Sequence, residues 1–152
     1  MKGRTGQRLF EAEWMERLSR VPFWVPYVIW SPVLIGAGAL AFAQSTGFPV
    51  FLAWYLAGRA AWLCLEYALH RFLFHWHPRL PGGQRFHLLI HGVHHQDPQD
   101  LERLVMPWGG VLVFATVLLP SFHLVLGAAA FYPFLTGFLW GYLAYEYTHY
   151  SI

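Results

Sequence analysis

Two long stretches of this 152-residue chain contain no charged side chain, and they limit what it can fold into. They cover residues 21–43 and 105–145. A helix of about 20 apolar residues is long enough to cross the ~30 Å hydrocarbon core of a bilayer. With 57% hydrophobic and 12% charged residues, the chain has more apolar side chains than a water-soluble core of this size buries. The sequence therefore predicts an integral membrane protein.

The order of apolar segments and turns predicts an all-α, multi-pass fold with about four transmembrane helices. The first two spans are expected near residues 21–43 and 48–69, separated by a short uncharged turn. A turn predicted over Gly127–Tyr132 divides the second charge-free stretch into spans near residues 107–127 and 132–150.

Residues 1–20 differ in composition from the rest and form a separate N-terminal segment, ahead of a transmembrane domain over residues 21–152. Phe10, Trp14 and Leu18 recur at helical spacing among charged residues, which predicts a short amphipathic helix lying on a membrane surface. The alternative is a disordered tail in which this spacing arose by chance.

Positive charge indicates the orientation of the chain. Nine of the ten Lys and Arg residues lie in residues 1–20 and 70–107. By the positive-inside rule, the N-terminus, the segment 70–107 and the C-terminus share the cytoplasmic side. The basic residues form no dense run, so we expect no nucleic-acid partner. A single cysteine, Cys64, permits neither an intramolecular disulfide nor a cysteine-based zinc site.

Arg59 and Glu66 interrupt the second span. An ionisable residue inside a membrane is costly and normally faces protein, a partner charge or a wet cavity. Because the two residues are seven apart, they lie on one helical face, and we expect them to share such an interior.

Histidine is the outlying residue type, with seven of nine located between positions 70 and 95. On a helix, His87, His91, His94 and His95 would occupy one face. Neutral imidazole is a good ligand for iron, zinc and copper, and repulsion between neighbouring rings disfavours their protonation. This pattern predicts a metal site. His123 stands alone in the third span and is expected to be a helix-packing residue.

Helical geometry does not decide between His75 and His77 as the partner of His70. In an α-helix His70 and His75 point about 140° apart, whereas His70 and His77 share a face. However, Pro78 disfavours helical geometry at His77. Rings that point apart can serve two metal ions, or bracket one ion where the helix loosens, so spacing alone leaves both arrangements open.

Three stretches resemble the fatty acid hydroxylase superfamily, and within it they look most like fatty acid 2-hydroxylases. They are Glu66-Tyr67-Ala68-Leu69-His70-Arg71-Phe72-Leu73-Phe74-His75, then His87-Leu88-Leu89-Ile90-His91-Gly92-Val93-His94-His95 with Pro98, Asp100 and Arg103-Leu104-Val105-Met106-Pro107, and finally Tyr145-Glu146-Tyr147-Thr148-His149-Tyr150. The resemblance covers about residues 60–150 and extends to the sequence around each histidine group.

The resemblance implies a four-helix transmembrane enzyme with a cytosolic histidine-rich cap that holds two iron ions, although imidazole suits zinc equally. Such enzymes use O2 and electrons from a cytochrome b5-type or ferredoxin-type donor to hydroxylate C2 of a long acyl chain. They reside in the endoplasmic reticulum or the bacterial cytoplasmic membrane. The matching metal-ligand positions are His70, His75, His91, His94, His95 and His149. His87, Glu66 and Glu146 are expected to orient these ligands rather than bind metal.

The chain departs from the family pattern at its end. After His149 the family continues with further histidines, whereas this chain stops at Ile152, so it is expected to be incomplete at the C-terminus. No cytochrome b5 domain precedes the first span, so we expect a separate electron donor. The alternatives are an inactive, metal-poor fragment of the same family, a sterol- or carotenoid-type hydroxylase, a b-type cytochrome, or a metal-binding or transport protein without catalysis.

Substrate recognition is less constrained by the sequence. Aromatic side chains in the spans are expected to line an apolar groove for the acyl tail. Arg71, Arg85 and Arg103 are candidates to meet a substrate carboxylate or head group. The alternative role for these arginines is that of membrane-face anchors or structural ion pairs.

Overall fold

The computed structural model describes residues 8–44, 47–76, 79–88, 92–93, 100–103, 105 and 108–151, and its regular structure over these residues is entirely helical. The elements in chain order are α1 (Glu13–Leu18), α2 (Val25–Ala43), α3 (Phe48–Ala68) with a π-helical extension (Leu69–Phe74), α4 (Gly83–His87), a 3-10 turn (Leu101–Arg103), α5 (Trp108–Val113), a π-helical stretch (Phe114–Leu118) and α6 (Leu119–Ser151).

Three of the described helices are long and apolar enough to cross a membrane. They cover Val25–Ala43, Phe48–Phe74 and Trp108–Ser151. Their apolar side chains point outward along much of their length, since Val28, Ile35 and Leu63 are all more than 60% exposed. The predicted all-helical membrane architecture is confirmed at this level, while the count of four spans remains a prediction.

The third of these helices folds back on itself at Gly127. There the backbone leaves helical geometry, with φ 69° and ψ 163°, a conformation that glycine adopts readily because it lacks a Cβ atom. Phe122 packs on Phe134 and Phe114 on Phe138, with ring centroids 5.2 Å and 5.4 Å apart. In a continuous helix Phe114 and Phe138 would lie about 36 Å apart. Residues 108–126 and 128–151 therefore form an antiparallel hairpin.

The break is narrower than the predicted turn over residues 127–132. Helical structure resumes directly after Gly127, and Pro133 lies within the following helix. One glycine at positive φ is sufficient to end the first half, so the remaining residues of the expected turn belong to the second half. We call residues 128–151 the C-terminal helix.

The core lies between α3 and the C-terminal helix. Gly58 faces the backbone of Phe134 and Phe138, and Gly137 faces the backbone of Tyr55, so closely that a Cβ atom at either glycine would overlap the opposite chain. Trp62 packs edge-on against Phe138 and Tyr142 further along. Because the contacts advance in the same direction on both helices, α3 and the C-terminal helix run parallel.

Helix α2 packs against the C-terminal helix and brings the N-terminal segment to the end of the bundle where that helix ends. The hydroxyl of Tyr27 donates a hydrogen bond to the carbonyl of Leu143 (3.2 Å), and the ring of Phe23 stacks on Tyr150 at 4.4 Å. The start of α2 therefore lies beside the end of the C-terminal helix. We call this end of the bundle, which carries His70, His75 and His149, the histidine end.

The N-terminal segment contains a shorter helix than its spacing predicted. Helix α1 comprises only Glu13–Leu18, so Phe10 lies outside it. Trp14 and Leu18 are 65% and 50% exposed, whereas Glu16 points inward and is buried. The placement of this segment on a membrane surface, and its division from the rest at residue 20, remain predictions.

Candidate metal centre

His70 and His75 lie side by side because the end of α3 widens into a π-helix. The backbone N–H of His75 donates to the carbonyl of His70, five residues earlier, with an N···O distance of 3.2 Å. The two imidazole centroids are 4.8 Å apart. An α-helix would have pointed these rings about 140° apart. The π-helix, a form often found at functional sites, therefore resolves their relative placement in favour of a shared location. His77 lies outside the described residues.

Glu66 contacts His70 from one turn earlier in α3. Its Oε1 lies 3.5 Å from Nδ1 of His70. A carboxylate at one ring nitrogen is the arrangement that fixes the orientation of a metal-ligating histidine and leaves its other nitrogen for the metal. The carboxylate of Glu66 therefore lies beside His70, and its orienting role stays a prediction.

His87 ties α4 to the end of the π-helix. Its Nδ1 lies 3.0 Å from the carbonyl oxygen of Phe74, next to His75 in the sequence. With Nδ1 donating to that carbonyl, the ring is fixed in one orientation. His87 is the first residue of the histidine-bearing segment, residues 87–95. The contact therefore anchors the start of this segment to the end of the π-helix.

A second glutamate and histidine, Glu146 and His149, lie three residues apart on the C-terminal helix. Glu146 is 5% exposed, and its neighbours include the phenol of Tyr142. The ring of Tyr145 lies 5.4 Å from that of His149, and the Tyr145 phenol interacts with the carboxylate of Glu66 across the helix pair. Because α3 and the C-terminal helix are parallel, the two Glu–His pairs share the histidine end.

Sequence reasoning missed Tyr142 and Tyr145. The available signal was their helical spacing, because Tyr142 precedes Glu146 by four residues and Tyr145 precedes His149 by four. Both tyrosines looked like ordinary span aromatics in a chain with 19% aromatic residues. The interaction of Tyr145 with Glu66 depends on the parallel packing of α3 and the C-terminal helix, which no local pattern indicates.

The remaining predicted ligands, His91, His94 and His95, lie outside the described residues. Within the described ranges, the potential metal ligands do not form a group of three or more. Two adjacent imidazoles with a carboxylate at one of them nevertheless provide the kind of donor set that iron or zinc binds. His123 lies away from this end, with its ring 4.9 Å from Phe131 in the hairpin, a contact in keeping with its predicted packing role.

The charged side chains near the site differ in role. Arg103 is almost fully buried and pairs with Glu16, so of its two expected roles the structure shows the structural ion pair. Arg71 is exposed, with its guanidinium 5.9 Å from the ring centre of Tyr67.

The structure shows no ion pair between Arg59 and Glu66 within the described part of the chain, and the shared interior expected for them stays a prediction. Glu66 instead contacts His70 and Tyr145, while Arg59 is half-buried beside the glycine contact at Gly58.

The comparisons with known proteins agree on one group. No family model matches the chain. The chain is 36% identical over 147 residues to the dihydroceramide fatty acyl 2-hydroxylase FAH2 of Arabidopsis thaliana, covering 97% of this chain and 62% of that protein. It is 34% identical to the ceramide very long chain fatty acid hydroxylase scs7 of Schizosaccharomyces pombe, covering 91% of this chain and 40% of that protein.

A solved structure shows the same fold. The structure described as full-length scs7p, with only the hydroxylase domain visible, superposes with a TM-score of 0.80 at 31% identity. The match covers 91% of this chain and 53% of that chain. The chain therefore spans between two fifths and about three fifths of the length of the proteins that it matches.

Proposed function

We propose that this chain, a homologue of the fatty acid 2-hydroxylases, carries the membrane-embedded part of an oxidoreductase that hydroxylates a long-chain fatty acyl lipid at C2. The observation that supports this most strongly is the similarity over nearly the whole chain to proteins named as ceramide or fatty acyl hydroxylases, together with the TM-score of 0.80. Ceramide-type lipids are the substrate class that these names indicate.

The proposed metal ligands are His70, His75, His91, His94, His95 and His149. We propose iron as the active metal, with zinc able to occupy the same nitrogens in purified protein. A bound pair of such ions supplies the activation of O2 that attack on an unactivated C–H bond requires, which no side chain provides. The side-by-side imidazoles of His70 and His75 support this assignment.

The chain's own residues hold this site in place. Glu66 orients His70 through Nδ1, and the carbonyl of Phe74 orients His87. Tyr145, on the helix that bears His149, interacts with Glu66 on α3, so it links the two sides of the site. These contacts fix ring orientation before any metal binds, which lowers the cost of assembling the site.

The membrane supplies the substrate in this proposal. The long helices expose apolar side chains, so an acyl chain reaches the histidine end from the lipid phase. We propose four spans, with the hairpin of residues 108–126 and 128–151 crossing twice, and a cytosolic histidine end. The endoplasmic reticulum fits ceramide-hydroxylating relatives, and a bacterial cytoplasmic membrane is the other setting. A separate cytochrome b5-type or ferredoxin-type protein supplies electrons.

The test measures metal content and product with the same membranes. Proteoliposomes containing the chain, a dihydroceramide, O2, and cytochrome b5 with its reductase are expected to form 2-hydroxyacyl product detectable by mass spectrometry. His75→Ala is expected to abolish product and remove metal, whereas His123→Ala, at the hairpin, leaves both unchanged. Stoichiometric metal without product would indicate a metal-binding role alone. Absence of both metal and product in the unaltered chain would overturn the proposal.

A further inference from the structure

A buried cluster of ion pairs joins the N-terminal segment to the chain that follows the histidine pair His94-His95. Glu16 of α1 forms ion pairs with Arg20 and Arg103, and Asp100 lies 3.6 Å from both of these arginines. The side chains of Glu16, Asp100 and Arg103 are each less than 10% exposed. We call Glu16, Arg20, Asp100 and Arg103 the clasp.

Backbone and apolar contacts reinforce the clasp. The N–H of Val21 donates to the carbonyl of Glu102 at 2.7 Å. Val21 also belongs to a small buried cluster with Val25 and Val105. Residues that follow Arg20 therefore contact the chain on either side of Arg103, at Glu102 and Val105.

The carboxylate of Glu16 is held from several directions. Its Oε2 accepts hydrogen bonds from the backbone N–H groups of Leu9 (2.9 Å) and Phe10 (3.2 Å), while Oε1 accepts from Arg20 and Arg103. Glu13, on the same helix, pairs among the described residues only with exposed arginines and is itself 62% exposed. Glu16 is thus buried and held by several donors, whereas Glu13, three residues earlier, is exposed.

Stability alone does not account for such a cluster. Buried ion pairs lose much of their Coulombic gain to desolvation, and apolar side chains often replace them without loss of stability, whereas they can specify one arrangement among alternatives. Here the arrangement concerns two segments that lie 87 positions apart in the sequence.

We propose that Glu16 and Arg103 are positioning residues that fix the carboxyl-terminal end of the histidine-bearing segment against the helix bundle. This inference rests on the proposed metal centre. Only four residues separate His95 from Asp100. At the other end of the segment, His87 is held by the carbonyl of Phe74. The segment between the two anchors is therefore short, and we infer that anchoring both of its ends limits the positions open to its histidines.

The experiment compares cobalt binding by variants of the clasp. Co(II) is titrated into the metal-depleted, detergent-solubilised chain, and its d–d absorption reports the ligand geometry in the folded, monodisperse fraction. Glu16→Gln is expected to weaken Co(II) binding by about tenfold, the lower end of the effect of removing outer-sphere partners, and to alter the spectrum. Glu13→Gln on the same helix is the matched control and is expected to leave affinity and spectrum unchanged.

A second variant covers the case in which Glu16→Gln does not fold. Arg103→Lys keeps the charge but loses the planar fork that reaches Glu16 and Asp100 together, so it is expected to fold and to shift the spectrum in the same direction. Limited chymotrypsin digestion is expected to cut faster within residues 79–105 in either clasp variant than in Glu13→Gln.

The outcomes separate this inference from the proposed function. If the unaltered chain binds no Co(II), the proposed metal centre fails. If it binds Co(II) and the folded clasp variants match it in affinity, spectrum and digestion rate, the clasp is merely structural and the inference is overturned.

Discussion

The imidazoles of His70 and His75 lie 4.8 Å apart because the helix carrying them changes its hydrogen-bonding repeat within one turn. The change begins directly after α3, at Leu69, and ends at Phe74. Two side chains five residues apart would point away from each other on an α-helix, whereas on this π-helix they lie side by side.

Loss of either ring at this point is expected to remove metal from the protein. His70→Ala and His75→Ala are each predicted to lower bound metal, measured by elemental analysis of purified protein, to below one tenth of the unaltered chain. His123→Ala serves as the control because its ring contacts Phe131 in the hairpin. Full metal content in His75→Ala would remove that residue from the ligand set.

Glu66→Gln is expected to weaken metal binding without unfolding the protein. The amide keeps the size of the side chain but removes the negative charge that lies 3.5 Å from His70 Nδ1. Loss of such a partner typically costs roughly 10- to 100-fold in affinity. A competition titration with a chelator measures the change, and circular dichroism checks the helix content. Tyr67→Phe, an exposed neighbour, is the control, and equal affinities for Glu66→Gln and the unaltered chain would contradict the orienting role.

Gly137→Ala is expected to destabilise the helix bundle strongly. The added methyl group would overlap the carbonyl of Tyr55 in α3, and backbone cannot move aside as a flexible side chain does. Overpacking of this kind costs about 1–3 kcal/mol or more.

The matched control for this change is Gly38→Ala in α2. No atom lies within 4 Å of a Cβ placed there, and alanine favours the helix by up to ~1 kcal/mol. Thermal unfolding in detergent, followed by tryptophan fluorescence, is expected to show a lower midpoint for Gly137→Ala only. Equal midpoints for the two variants would contradict the parallel packing described here.

The clasp is expected to lose stability in acid. Burial opposes ionisation of Glu16, but the N–H groups of Leu9 and Phe10 and the guanidinium groups of Arg20 and Arg103 outweigh it and hold the pKa of Glu16 below its ordinary value of 4.5. A lowered pKa in the folded protein gives stability that is present above pH 4.5 and is lost as the pH falls through the folded-state pKa.

Unfolding midpoints measured between neutral pH and about pH 3 test this directly. The difference between the unaltered chain and Glu16→Gln is expected to be constant near neutral pH and to shrink below 4.5, while Glu13→Gln shows no such trend. A difference that grows on acidification would reverse the sign of the linkage and contradict the contacts assigned to Glu16.

The sequence predicted the features that depend on local pattern. Charge-free stretches long enough to cross a bilayer as helices indicated the long helices. Gly127 lies at the start of the predicted turn. The clustered histidines and the acids before His70 and His149 indicated the site. Each of these signals lies within one segment and needs no knowledge of packing.

Features that depend on distant contacts were not accessible in this way. The π-helix after α3 places the ring of His75 beside that of His70, whereas an α-helix would point the two rings about 140° apart. The partner of Arg103 lies 87 positions earlier, in a segment predicted only to lie on a surface. Tyr145 meets Glu66 only because two glycines let α3 and the C-terminal helix come together in parallel.

That parallel arrangement has a consequence for biogenesis. Two helices that cross a bilayer in the same direction need an odd number of crossings between them, and in the proposed four-span topology residues 108–126 provide the return. If this segment stayed on one side during insertion, His70 and His149 would end on opposite faces of the membrane, separated by its ~30 Å hydrocarbon core. Correct insertion of residues 108–126, which contain none of the proposed ligands, therefore decides whether His70 and His149 reach the same side of the membrane.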